Sequence, residues 1–105
     1  MCKLAFVLAA ALAILASAAQ AEEAKVKIDN FTFAPQTLTV HLGQVVEWEN
    51  EDDIPHTVTE ANRAEFLSEA LDTGDKFTFA FQHKGEFSYF CSLHPHMQGK
   101  VIVID

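Results

Sequence analysis

The stretch Cys91-Ser92-Leu93-His94-Pro95-His96-Met97 places a thiol, an imidazole and a thioether at positions i, i+3 and i+6. Thiolate, imidazole and a weak thioether together form the donor set that holds copper in one-electron transfer sites. Such a site needs a second imidazole, and His56, in Asp53-Ile54-Pro55-His56-Thr57-Val58, is best placed to supply it. Zinc accepts thiolate and imidazole too, but a structural zinc site takes four strong ligands. Met97 is a weak one, so its presence favours copper. Each piece has a plainer explanation: Cys-x2-His recurs by chance, methionine fills gaps in cores, and loops often carry a histidine. The concurrence is what argues for a site. Beyond residue 21 the chain has one cysteine, Cys91, and one methionine, Met97, and both lie in this turn.

The elements that must position these donors read as short strands. Val26 and Ile28, then Phe31 and Phe33, alternate with polar residues in the period-2 pattern of half-buried strands. Leu38, Val40 and Leu42 share a face; Gly43 marks a turn, after which Val46 and Trp48 share the next inward face. Phe77, Phe79 and Phe81 repeat the pattern, Lys84-Gly85 turns the chain, and Phe87, Tyr89 and Cys91 line one side of the following strand. Val101 and Val103 against Ile102 and Ile104 suggest a last strand covered on both sides. Ala61–Leu71 reads as loop with a short edge strand in preference to two helical turns. Seven or eight strands at this spacing predict an all-β fold, a Greek-key sandwich of two sheets. The phenylalanines on alternating positions and Trp48 read as core. Pro95 biases His94 away from helical backbone, and Pro55 stiffens the approach of His56.

Residues 1–21 read as a secretory signal. Lys3 precedes an apolar run from Leu4 to Ala16, and Ala19-Gln20-Ala21 has the small-x-small form of a cleavage site. Cleavage is favoured over an uncleaved membrane anchor, since a span needs about 20 apolar residues, and it would leave a single domain over 22–105 with no membrane insertion. That domain has six Lys+Arg and fifteen Asp+Glu, a net charge of −9 with neutral histidines. The sign disfavours nucleic acid and anionic membranes as partners and favours a cationic protein surface. A single cysteine in an oxidising compartment is a liability unless something occupies it, and a bound metal would do so. The acidic run Glu47-Glu49-Glu51-Asp52-Asp53 has two readings, a solvated surface or a steering patch for a cationic redox partner. His41 and His83 read as solvent-facing, and His96 as a surface residue beside the donors, a pH-sensitive part of a docking rim, or a transient entry ligand for copper beside Met97.

With these motifs together, the chain resembles the cupredoxins, the small blue-copper family. The resemblance covers nearly all of 25–105, including Gly43–Trp48, Asn50–Val58 and Phe87–Val103. The two-residue gaps between Cys91, His94 and Met97, followed by Gly99-Lys100-Val101, are similar to the amicyanin branch. The resemblance implies one type 1 copper per chain, with His56, Cys91, His94 and Met97 as ligands. It further implies a periplasmic, monomeric electron carrier that is not an enzyme. Transfer would be outer-sphere through His94, with Ile54, Pro55, Pro95 and His96 around the docking surface. A cationic c-type cytochrome or a periplasmic dehydrogenase would be the partner. The alternative is a periplasmic copper-binding and delivery protein, whose cargo is the metal itself. Thr57 departs from the family pattern, since many members have asparagine there to tie the two ligand loops together.

Overall fold

The computed structural model describes residues 24–105. The expected signal segment and its cleavage site lie outside the described residues. Eight strands follow in order: β1 Ala24–Asp29, β2 Thr32–Ala34, β3 Thr37–His41, β4 Val45–Asn50, β5 Thr59–Glu60, β6 Lys76–Ala80, β7 Gly85–Cys91 and β8 His94–Ile104. One sheet has the order β2-β1-β4-β6 and the other β3-β8-β7-β5. The pairs β1·β4 and β3·β8 are parallel, and the remaining pairs antiparallel. This is the expected all-β sandwich, and among the described residues there is no helix.

The alternation seen in the sequence is what closes the two sheets on each other. Val26 and Ile28 of β1, Val46 and Trp48 of β4, Phe81, Tyr89, and Val101 and Val103 of β8 turn inward, all at 3% exposure or less. Trp48 stands against Tyr89 with ring centroids 5.5 Å apart, and Phe66 packs on Trp48, Phe79 and Phe81. Aromatic side chains bring the largest apolar area per residue, so a small domain with no disulfide among its described residues still buries a core. Gly99 is required by that packing: a Cβ there would meet the Tyr89 ring at 2.5 Å.

Three local expectations are corrected. Phe31 does not share a strand face with Phe33; it sits in the β1–β2 turn, 47% exposed. The last strand is covered unequally: Val101 and Val103 are buried, Ile102 is half-buried and Ile104 is 44% exposed, with no third layer on that sheet among the described residues. Leu42 lies in the turn after β3, 45% exposed, and leaves the face of Val40. The segment 61–71 is loop, as expected, with bridges Thr59↔Leu67 and His56↔Leu71 fastening it to the chain that carries His56.

Topology gathers the donors. The parallel β1 and β4 end at the same pole of the sandwich, and the antiparallel β7 and β8 place the end of one and the start of the other together. The β1–β2 turn, the loop after β4 and the β7–β8 hairpin therefore meet at one end.

Candidate metal centre

The β7–β8 connection is a two-residue hairpin, Ser92-Leu93, across which Cys91 pairs with His94. Regular pairing resumes at Phe90↔Gln98, so Pro95, His96 and Met97 are extra residues on β8. A bulge of this kind re-aims side chains: Pro95 and His96 stay exposed while Met97 turns inward to 3% exposure. The other loop starts at Asn50, fully buried at the end of β4. Its Nδ2 donates to the carbonyls of Ile54 (2.9 Å) and Leu71 (2.8 Å), and its Oδ1 accepts from Asp52 N at 2.9 Å. That side chain shapes the turn leading to His56. Main-chain bonds in both directions between His56 and Leu71, at 3.1 and 2.7 Å, then fix the donor's backbone.

Three of the four expected donors converge. Cys91 Sγ lies 3.6 Å from Nδ1 of His56 and 3.6 Å from Nδ1 of His94. The three donor atoms all fall within 4.8 Å of one another. His56 and Cys91 are fully buried and His94 half-buried. Met97 is buried in the core cluster that contains Cys91.

The surroundings prepare these atoms for a cation. His56 Nε2 donates to Asp52 Oδ2 at 2.7 Å, which leaves the Nδ1 lone pair facing Cys91. A carboxylate on the outer ring nitrogen fixes tautomer and orientation and raises ligand basicity. Burial alone would raise the Asp52 pKa, but amide bonds from Phe31 and Asn30 and the contact with His56 prevail and hold it down at about 2. Thr57 N–H donates to Cys91 Sγ at 3.3 Å and so fixes where the sulfur sits. Thr57 also does what asparagine would do. Its Oγ1 accepts Ser92 N–H at 2.7 Å and lies 2.9 Å from Ser92 Oγ, which joins the two donor loops directly. A thiolate with two imidazole nitrogens already turned inward, and a buried thioether nearby, fits copper.

Sequence reasoning overlooked Asn50, Asp52 and Phe31. Asp52 was hidden in the acidic run, although a carboxylate four residues before a donor histidine is a readable cue. The run itself is not one block of unopposed charge. Glu47 faces Lys25 at 4.0 Å, Glu51 faces Lys27 at 3.7 Å, Glu49 is in register with Lys76, and Asp52 is committed to His56. His41 and His83 are exposed, as expected, with His83 3.3 Å from Glu65.

A two-sheet sandwich with a buried thiol and two imidazoles at one pole defines a class, the small copper proteins of electron transfer. The chain belongs to the cupredoxin-like family, whose domain model matches residues 3–103. Its cofactor is copper. An amicyanin from Paracoccus versutus is 29% identical over 94 residues, covering 86% of this chain and 71% of that protein. A chloroplastic plastocyanin from Tetradesmus obliquus is 34% identical over 103 residues, covering 85% and 71%. A purple cupredoxin from Nitrosopumilus maritimus superposes with a TM-score of 0.72 at 31% identity, covering 77% of this chain and 99% of that one.

Proposed function

We propose that this chain is a periplasmic type 1 copper protein that carries single electrons between partner proteins, with His56, Cys91, His94 and Met97 as the copper ligands. The convergence of Cys91 Sγ on Nδ1 of both histidines at 3.6 Å carries the reading. When bound, copper supplies a one-electron couple, Cu(I)/Cu(II), in a ligand set that suits both states.

The chain's own residues do the rest. Asn50, Asp52 and Thr57 hold the donor loops in place by hydrogen bonds that do not involve the metal, so little rearrangement accompanies a change of charge at the centre. Cys91 and His56 are sealed from water, whereas His94 is half-buried and presents its ring edge to a partner for outer-sphere transfer. Around it lie Leu93, 52% exposed, with Pro55, Pro95 and His96 also exposed and Ile54 half-buried. A small apolar rim of this kind suits brief docking. The surplus of acidic residues over the whole domain favours a cationic partner such as a c-type cytochrome, or a periplasmic dehydrogenase with a basic face. Export and a monomeric state are part of the same proposal, supported by the signal-like pattern of 1–21 and by the similarity to amicyanins.

Mixing the reduced, copper-loaded protein with an oxidised c-type cytochrome in a stopped-flow instrument tests the carrier role. Rapid cytochrome reduction with copper retained is the expected result, with a rate that falls as salt rises. Sluggish exchange combined with ready transfer of Cu(I) to a chelating acceptor would replace the carrier by a copper-delivery protein.

A further inference from the structure

The β1–β2 turn carries a residue that its own backbone disfavours. Asn30 and Phe31 have φ of 54° and 59°, the left-handed pair of a two-residue hairpin turn. Asparagine tolerates that region, but a non-glycine residue such as phenylalanine pays about 1–2 kcal/mol there. Glycine is the residue such a turn prefers at its second position. Burial does not explain the choice either, since the side chain is 47% exposed.

Two sets of contacts do explain it. The Asp52 carboxylate accepts both turn amides, Asn30 N–H on Oδ1 at 2.7 Å and Phe31 N–H on Oδ2 at 3.0 Å. The same Oδ2 accepts His56 Nε2–H at 2.7 Å, so one carboxylate fastens the turn to the first imidazole. The Phe31 ring then stands perpendicular to both imidazoles, with centroids 5.5 Å from His56 and 5.1 Å from His94. The two imidazoles are themselves 5.1 Å apart. A strained residue kept in place by its surroundings at a functional site points to a role there.

We propose that Phe31 is a positioning residue of the copper centre: latched to the His56 loop through Asp52, its ring braces both imidazoles and keeps water from the parts of the rings it faces, leaving the rest of the His94 edge open. The inference rests on His56 and His94 being ligands. A drier site disfavours the more highly charged oxidation state, so the ring biases the centre towards Cu(I). Bracing also restricts the half-buried His94 ring, the donor with the least other support.

The test compares Phe31→Gly, Phe31→Leu and the unsubstituted protein. Phe31→Gly removes the ring while giving the turn its preferred residue, so the fold is kept. Edge-on aromatic contacts are worth a factor of about two to ten. Only the part of the ring's effect that differs between the two oxidation states moves the potential, and the ratio of reduced to oxidised Phe31→Gly protein at fixed potential is expected to fall about threefold, or about 28 mV at 59 mV per tenfold. In the zinc-loaded protein, the ring-proton NMR signals of His56 and His94 move in Phe31→Gly as the ring current is lost. Phe31→Leu restores part of the potential but not those signals. Leu42→Ala, which trims an exposed apolar side chain in the turn after β3, at the opposite pole, changes neither readout. Unchanged potential and unchanged His94 signals in Phe31→Gly would overturn the inference. Absence of an intense visible band from the unsubstituted protein with Cu(II) would instead overturn the ligand assignment beneath it.

Discussion

His56 arrives on a loop bracketed from three sides, whereas His94 arrives on a two-residue hairpin that leaves its ring half-buried. The first loop is tied inward by Asn50, across to Leu71 and Ser68 by main-chain and hydroxyl bonds, and outward to the β1–β2 turn by Asp52. The second is tied chiefly through Thr57 and Ser92, and through Phe31 against the ring. The difference divides the labour. On the proposed function, the buried, over-determined donor would keep the metal and its geometry, and the less enclosed donor would communicate with a partner. Thr57 couples the two, because its N–H reaches Cys91 Sγ and its hydroxyl reaches Ser92 in the hairpin.

The largest effect should come from removing each imidazole in turn. His56→Gly is expected to lower copper affinity by about 100-fold or more and to destabilise the metal-free fold by about 2–4 kcal/mol, since it opens a buried cavity and strands Asp52. Free imidazole should not repair it. In His94→Gly the gap opens towards solvent, so added imidazole should restore the visible band of the Cu(II) protein. Titration of imidazole into both variants, followed by absorption, checks the contrast. Equal rescue of the two would break it.

Next in size is Asn50→Ala. The side chain satisfies one buried and one part-buried carbonyl and one amide, so its loss should cost about 3 kcal/mol by urea unfolding of the metal-free protein. Thr57→Val should cost less, about 1–2 kcal/mol. It should also speed copper release, because the two donor loops are no longer joined. Thr57→Asn should recover most of both losses. Similar release rates for Thr57→Val and the unsubstituted protein would show that the loops hold their places independently.

The smallest effect concerns acid. Asp52 is held at about 2 in the fold, below its ordinary value near 4. A carboxyl depressed by folding adds stability that is fully present above the unfolded pKa and is lost as pH falls from about 4 towards 2. Asp52→Asn should therefore be less stable than the unsubstituted protein at neutral pH. Its stability should also fall less steeply between pH 4 and 2. Parallel slopes in the two proteins would remove Asp52 from the acid response.

What the sequence disclosed, and what it did not, follows the range of the contacts. The Cys91–His94 hairpin and the inward Met97 are local, and residue types at fixed spacing reveal them. His56 was readable because it is the histidine beside a proline in the loop after the Trp48 strand. The alternation of Phe77, Phe79 and Phe81 and of Phe87, Tyr89 and Cys91 shows the sheets for the same reason. Phe31 was obscured because the carboxylate that latches it, Asp52, is 21 residues distant and on another loop, and Asp52 because the acidic run around it hides a contact with His56 only four residues away. Alternation alone puts Phe31 on a strand with Phe33; only the left-handed turn between β1 and β2 moves it out over the donors. The exposed face of β8 was misjudged for a related reason, since the pattern Val-Ile-Val-Ile does not say whether a third layer exists.

The central claim is that His56, Cys91, His94 and Met97 form one type 1 copper centre. Titrating the metal-free protein with Cu(II), while recording visible absorption, tests it most directly. The account predicts an intense thiolate-to-copper band that saturates at one equivalent and is absent from Cys91→Ser. Saturation without that band, or the same band in Cys91→Ser, would contradict it.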